Sequence, residues 1–285
     1  MYPTSFDYHK PRTLTEAADL LKKDPEARLL AGGHSLLPAM KLRLANPTAL
    51  VDLAGIKELV GITKTGDALR IGALTTHAAV AASDVVRSSC PLLAETAAHI
   101  GDFQVRNRGT IGGSIAHADP AADYPNALIA LGATIETGGS AARRLPIEGF
   151  YTGLFSTVLQ PGEIVAAVHV PTCGKGTGGA YEKHRHPASS YAVVGVAALV
   201  TVAGGKCSKV SLVVGGVSVN PFRASAAEAA LTGQAPDDAA FAAAAAKAGD
   251  GVAKPISDLY ASGEYRVHLA SVLARRALAA AASRA

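Results

Sequence analysis

The sequence predicts an α+β protein made of more than one compact unit, and three observations carry that expectation. Helix-periodic and strand-like segments are interspersed through residues 1–172. A stretch with four glycines in eight residues, 172–179, then interrupts the pattern. Beyond it, two long apolar runs precede three helical segments, the order of an α+β domain. With 285 residues and 49% hydrophobic content, the chain can fill several cores.

The elements follow in order. Thr13-Leu14-Thr15-Glu16 has the form of a capping box and predicts a helix over 14–23, with Leu14, Ala17, Ala18 and Leu21 at helical spacing. Strands are expected at 28–31, 50–53 and 68–74, and helices at 76–83 and from Pro91 to a stop at Gly101. Residues 102–118 read as a loop. Asp119 as a cap, Pro120 in first position and Gly132 as a stop predict a helix over 120–131. Strands at 133–137 and 164–170 close this part, and the glycine-rich stretch reads as a flexible linker. The apolar runs 191–203 and 209–219 are expected as strands, and 224–232, 237–248 and 264–283 as helices.

Composition narrows the function. The formal net charge is +4, but no run of five or six basic residues occurs, so nucleic-acid binding has no support. Cys90, Cys173 and Cys207 are odd in number and far apart in the chain, against a disulfide framework or a cysteine metal site, and they fit a reduced, cytoplasmic setting. No secretory signal is visible. The most apolar stretch, 191–203, is shorter than the roughly 18 residues of a membrane span.

Two glycine segments carry chemistry. Ala31-Gly32-Gly33-His34-Ser35 follows a strand, where glycines permit positive φ and let backbone amides approach a phosphate; a plain turn is the alternative. Thr110-Ile111-Gly112-Gly113-Ser114 again pairs glycines with hydroxyls. One cradle suits a mononucleotide, whereas two suit the diphosphate of a dinucleotide. Neither segment is a GxGxxG fingerprint or a Walker A loop, which excludes the two commonest nucleotide folds.

Four blocks, AGGHSLLPAMKLR at 31–43, QVRNRGTIGGSIAHADPAADYP at 104–125, YEKHRHPASSYAVVGVAA at 181–198 and EYRVHLASVLARRAL at 264–278, resemble the FAD-binding subunits of the carbon monoxide dehydrogenase and xanthine dehydrogenase family of molybdenum hydroxylases. The resemblance covers nearly the whole chain. It implies a two-subdomain FAD-binding domain of the vanillyl-alcohol oxidase (PCMH) type, at 1–57 and 58–172, and a CO dehydrogenase flavoprotein-type α+β domain at 178–285.

It also implies that residues 31–35 and 110–114 hold the FAD diphosphate, that Asp123 lies near the ribityl or flavin end, and that Lys183 and Tyr191 face the isoalloxazine. Physical alternatives stand beside these roles: a helix-dipole contact for Asp123, a solvated charge for Lys183, and core packing for Tyr191 with its hydroxyl at the rim. The roles of Arg106, Arg108, His117 and His77 stay open. The benzoyl-CoA reductase branch of the family carries a cysteine cluster in this subunit. The scattered cysteines here lead instead to FAD as the chain's only redox cofactor, with no metal bound.

The implied function is an oxidoreductase flavoprotein that relays electrons and has no catalytic nucleophile or base of its own. Its partners would be a large molybdenum-cofactor subunit and a small subunit with [2Fe–2S] clusters, assembled as a dimer of heterotrimers, in the cytoplasm or at the inner face of the membrane. A stand-alone flavin oxidase and a non-redox assembly module are the competing classes. The first would need a base beside the flavin, and no such constellation is apparent in 178–285.

Overall fold

Thr13 is extended (φ −134°, ψ 156°) and its hydroxyl accepts from Glu16 N–H, so the helix Leu14–Lys23 begins where the sequence predicts. Glu16 completes the cap by accepting from Arg12 N–H at 2.8 Å, one residue earlier than a capping box has it. In this computed structural model, which describes residues 2–285, that helix packs Ala17 and Ala18 over a small parallel sheet. The sheet has the spatial order Asp7–His9, Ala49–Asp52, Arg28–Leu30.

An antiparallel five-stranded sheet follows, in the order Ile62–Thr65, Ala68–Gly72, Glu163–Pro171, Thr134–Gly139, Arg144–Pro146. Its central strand, Glu163–Pro171, separates two cores. Ile164 and Ala166 face the first core, while Val165, Val168 and Val170 face the second. The switch from odd to even positions coincides with a bulge between Val165 and Ala167, since one extra residue reverses which face each side chain takes. Helices Pro91–Ala98, Ile111–His117 and Tyr124–Leu131 contribute the other side of the second core.

The remaining sheet is antiparallel, in the order Thr177–Arg185, Ala192–Ala203, Lys206–Gly215, Phe222–Arg223. Helix Gly263–Ser283 covers the face that carries Val194, Val196, Ala198 and Val200. Tyr181, Ala197 and Val213 point the opposite way into the second core, so both faces are buried and the strand reads as a continuous apolar run. Arg266, only 6% exposed, anchors the long helix by donating to the Val193 and Gly216 carbonyls and pairing with Asp258. Among the described residues, no helix is long and apolar enough to cross a membrane.

Three sequence expectations need correction. Residues 102–118 are not a loop but contain the helices Phe103–Arg108 and Ile111–His117. The next helix begins at Tyr124 rather than 120: Asp119 caps a turn, accepting from Ala121 N–H at 2.8 Å, and Pro125 occupies the first helical turn. The glycine stretch is only partly a connection. Gly178 and Gly179 lie inside strand Thr177–Arg185, where a Cβ would collide with the Ala281 carbonyl oxygen and sit 2.8 Å from Leu92 Cβ respectively. These glycines serve close approach rather than flexibility.

Candidate functional site

A cleft of about 970 Å³ runs between the parallel sheet, the five-stranded sheet and the loop ahead of Ala192. That volume is at the upper end of the roughly 300–1,000 Å³ typical of small-molecule sites. Ala31, Gly32, Gly33, His34, Ser35, Thr110, Gly112, Gly113, Ser114, Asp123 and Tyr191 all line it, so the structure brings together eleven of the thirteen expected residues. Ile111 and Lys183 do not line it.

The first glycine segment leaves the strand Arg28–Leu30 and enters the short helix Leu36–Lys41. Gly33 has φ +76°, a value that glycine adopts without a Cβ clash. Among the described residues, the amides of Gly32, Gly33, His34, Ser35 and Leu36 donate to no group in the chain. Five successive unpartnered N–H groups beside a cleft are an arrangement that can bind an anion.

The second segment differs from its sequence reading. It is the N-cap and first turn of helix Ile111–His117, and its amides from Ile111 to Ser114 are already used. Ile111 N–H donates to Thr75 O, Gly112 N–H to Ala73 O, Gly113 N–H to the Thr110 hydroxyl and Ser114 N–H to Thr110 O. What this segment offers the cleft is the Thr110 and Ser114 side chains and a surface without Cβ atoms. Ile111 is 0% exposed and fixes the turn in the core. The two segments touch at Gly32, whose Cβ would overlap the Arg108 carbonyl oxygen and lie 2.8 Å from Gly109 Cα.

At another wall, Asp123 sits at the start of helix Tyr124–Leu131 and is 5% exposed. Tyr181 donates to Asp123 Oδ1 at 2.7 Å, and Lys183 Nζ lies 2.9 Å from the carboxylate and 3.1 Å from the His99 carbonyl oxygen. The Lys183 side chain is 0% exposed, so the residue's remaining exposure is backbone and the solvated-charge alternative is excluded. Burial pushes the Asp123 carboxyl up and the Lys183 ammonium down, and their mutual attraction opposes both shifts. Burial and the adjacent Asp123 charge hold the Tyr181 phenol far above its usual range.

Tyr191 is 42% exposed and stands in the cleft wall, its phenol raised mainly by burial. Arg106 is held in place by its Nη1, which donates to the Ile100 and Gly101 carbonyls. His117 packs against Phe155 on the cleft margin, ring centroids 5.0 Å apart and planes tilted by 39°.

Sequence reasoning missed Tyr181. Reading 177–185 as a strand would have found it, since residues two apart share a face and Tyr181 and Lys183 therefore reach Asp123 together. His77, whose role was open, lies behind the second segment. It is 4% exposed, its Nδ1 has no partner, and its ring packs on Tyr124 at 5.2 Å. Burial, reinforced by nearby His34 and Arg106, pushes its pKa down to about 4.

A lowered histidine pKa means that the unfolded chain binds the proton more readily. The neutral ring's contribution is therefore present above the unfolded value of 6.5 and is lost as pH falls from there towards 4. The expected loss between pH 7 and pH 5 is about 2 kcal/mol from this group. Melting curves across that range check it: the fall should shrink in His77→Gln, and an unchanged slope would remove His77 as the source.

With this geometry in view, residues 4–173 match the FAD binding domain in molybdopterin dehydrogenase, and residues 179–281 match the CO dehydrogenase flavoprotein C-terminal domain. The chain is 42% identical to the carbon monoxide dehydrogenase medium chain of Afipia carboxidovorans, over 100% of this chain and 99% of that one. It superposes with TM-score 0.96 and 42% identity on carbon monoxide dehydrogenase from Hydrogenophaga pseudoflava lacking the Mo-pyranopterin moiety, over 100% of this chain and 99% of that chain. It superposes with TM-score 0.94 and 34% identity on quinoline 2-oxidoreductase from Pseudomonas putida 86, over 99% of each chain. The architecture is thus a PCMH-type FAD-binding domain followed by a CO dehydrogenase flavoprotein C-terminal domain. The chain belongs to the FAD-binding medium-chain subunits of the CO dehydrogenase/xanthine dehydrogenase family of molybdenum hydroxylases.

Proposed function

We propose that the chain takes electrons from [2Fe–2S] clusters of a small partner subunit and delivers them through FAD to an external acceptor, while a large partner subunit carries the molybdenum cofactor and acts on the organic substrate. The complex would be a cytoplasmic dimer of heterotrimers. The observation that carries the flavin site is the set of five unpartnered amides, Gly32 to Leu36, beside a cleft of about 970 Å³. The relatives' designation as medium chains supports the division of labour. The proposed division is 1–57, 58–172 and 178–285; the three-stranded sheet falls in the first part, the five-stranded sheet and a two-stranded ribbon in the second, and the four-stranded sheet opens the third.

The residues present fit a dinucleotide. The free amides of residues 32–36 would donate to diphosphate oxygens, joined by the hydroxyls of Ser35, Thr110 and Ser114. Ala31, Gly112 and Gly113 would keep that surface low enough for close approach, and His34 would border it. Asp123 would receive donors at the cleft wall, with its orientation fixed from behind by Tyr181 and Lys183. Tyr191 would cover an aromatic ring and exclude water. Ile111 would act only by holding its helix in the core. FAD, when bound, supplies one- and two-electron exchange, so no protein nucleophile enters the scheme.

The test is an FAD titration of the purified chain, followed by absorption and by melting temperature. One FAD per chain is expected, with stabilisation of about 2.7 kcal/mol when free FAD exceeds Kd a hundredfold. Failure to bind both alone and with partner subunits would sink the site. Oxidation of an organic donor by the FAD-loaded chain alone would instead establish a self-sufficient oxidase.

A further inference from the structure

Cys90 and Cys173, far apart in the sequence, are neighbours in the fold. The Cys173 N–H donates to the Ser89 carbonyl at 2.8 Å. With standard backbone dimensions, that bond limits the separation of the two cysteine Cα atoms to about 7 Å. Disulfides join Cα atoms roughly 4.4–6.8 Å apart. Both side chains meet in the same apolar cluster, Cys90 within it and Cys173 packed against it. Cys90 is fully buried, whereas Cys173 is partly exposed. Interaction with the neighbouring Cys90 thiol holds the Cys173 thiol below its ordinary range, and the same interaction together with burial raises that of Cys90.

Their setting gives the pair a mechanical meaning. Cys173 is the second residue of the connection between strands Glu163–Pro171 and Thr177–Arg185, which belong to different sheets. Cys90 immediately precedes helix Pro91–Ala98, whose Glu95 accepts from Tyr181 N–H at 3.3 Å and from Arg284 at 2.7 Å. A bond between the two sulfurs would tie the start of the connection to a helix that already holds the C-terminal sheet. The third cysteine, Cys207, lies in the core of that sheet and serves as an internal reference.

We infer that Cys90 and Cys173 are a modification site, a dithiol that a peroxide oxidises reversibly to a disulfide across the junction of the two sheets. The partly exposed Cys173 thiolate attacks one peroxide oxygen, forming an S–O bond as the O–O bond breaks and water leaves after protonation. Cys90 sulfur then attacks the Cys173 sulfenic acid, forming the S–S bond and releasing a second water. Two thiols and one hydrogen peroxide thus give one disulfide and two waters. This inference does not depend on bound FAD.

The full chain, reduced and purified, is treated with a small excess of hydrogen peroxide, alkylated under denaturing conditions and analysed by peptide mass spectrometry. The expected product is a 90–173 cross-linked peptide, lighter than the two free peptides by two hydrogen atoms, with Cys207 still alkylated. Closing so long a loop is expected to raise Tm by about 5–10 °C, reversed by dithiothreitol. Cys173→Ser should remove both the cross-link and the Tm rise. Alkylation of both cysteines after peroxide, a sulfinic acid on Cys173 beside a free Cys90, or a disulfide between chains would each overturn the assignment. The wild-type mass spectrum decides this even if the serine variant folds poorly.

Discussion

Gly32→Ala should weaken FAD binding by at least about 100-fold, equivalent to about 2.7 kcal/mol, the largest effect expected of any single-methyl change in the cleft. The new Cβ would overlap the Arg108 carbonyl oxygen and lie 2.8 Å from Gly109 Cα. Both obstacles are backbone, so no rotamer change relieves them, and the two glycine segments must move apart. Overpacking of this kind costs about 1–3 kcal/mol of stability by itself, and it also displaces the free amides of Gly32 and Gly33.

Two neighbouring substitutions give the scale. Gly33→Ala places a side chain at φ +76°, a left-handed conformation costing about 1–2 kcal/mol, with Leu37 Cδ1 at 3.0 Å as a yielding contact. Gly113→Ala meets the Thr110 hydroxyl at 2.8 Å, a side-chain atom that can turn. FAD titrations should therefore rank the losses as Gly32 above Gly33 above Gly113. Equal, small losses at all three positions would show that the first segment is a structural turn and not the diphosphate cradle.

The legibility of the sequence follows from how local each determinant is. Helix Leu14–Lys23 was readable because Thr13 and Glu16 carry its start within four residues. Helix Ile111–His117 was hidden by its two glycines, and it exists because Thr75 and Ala73 on a distant segment accept its first amides. Strand Thr177–Arg185 was hidden in the same way, since the glycines that suggested a linker are there to let Ala281 and Leu92 approach. For the site, residues 31–35 were legible because their availability comes from a local turn. The fate of the amides at 111–114 and the burial of Lys183 were not, because both are set by tertiary partners.

Lys183 is accordingly the residue whose replacement should reveal the most about the second wall of the cleft. Lys183→Met removes the cation 2.9 Å from Asp123 and leaves a carboxylate that is 5% exposed with Tyr181 as its remaining side-chain donor. Breaking a buried pair on one side costs about 3–5 kcal/mol, whereas replacing both members together is often close to neutral. Lys183→Met/Asp123→Asn should thus recover most of the loss, because the amide can still accept from Tyr181 and leaves no charge to be solvated. The pH dependence has a definite sign. Burial already raises the Asp123 pKa, and loss of the ammonium raises it further. A raised carboxyl pKa stabilises the fold below the unfolded value of 3.8, and that contribution is lost as pH rises through the folded value. The single Lys183→Met variant should therefore melt closer to wild type at pH 5 than at pH 8, while the double variant should show no such dependence. If the single variant were as stable as wild type at pH 8, Lys183 would not be what offsets the burial of the Asp123 carboxyl group at the cleft wall.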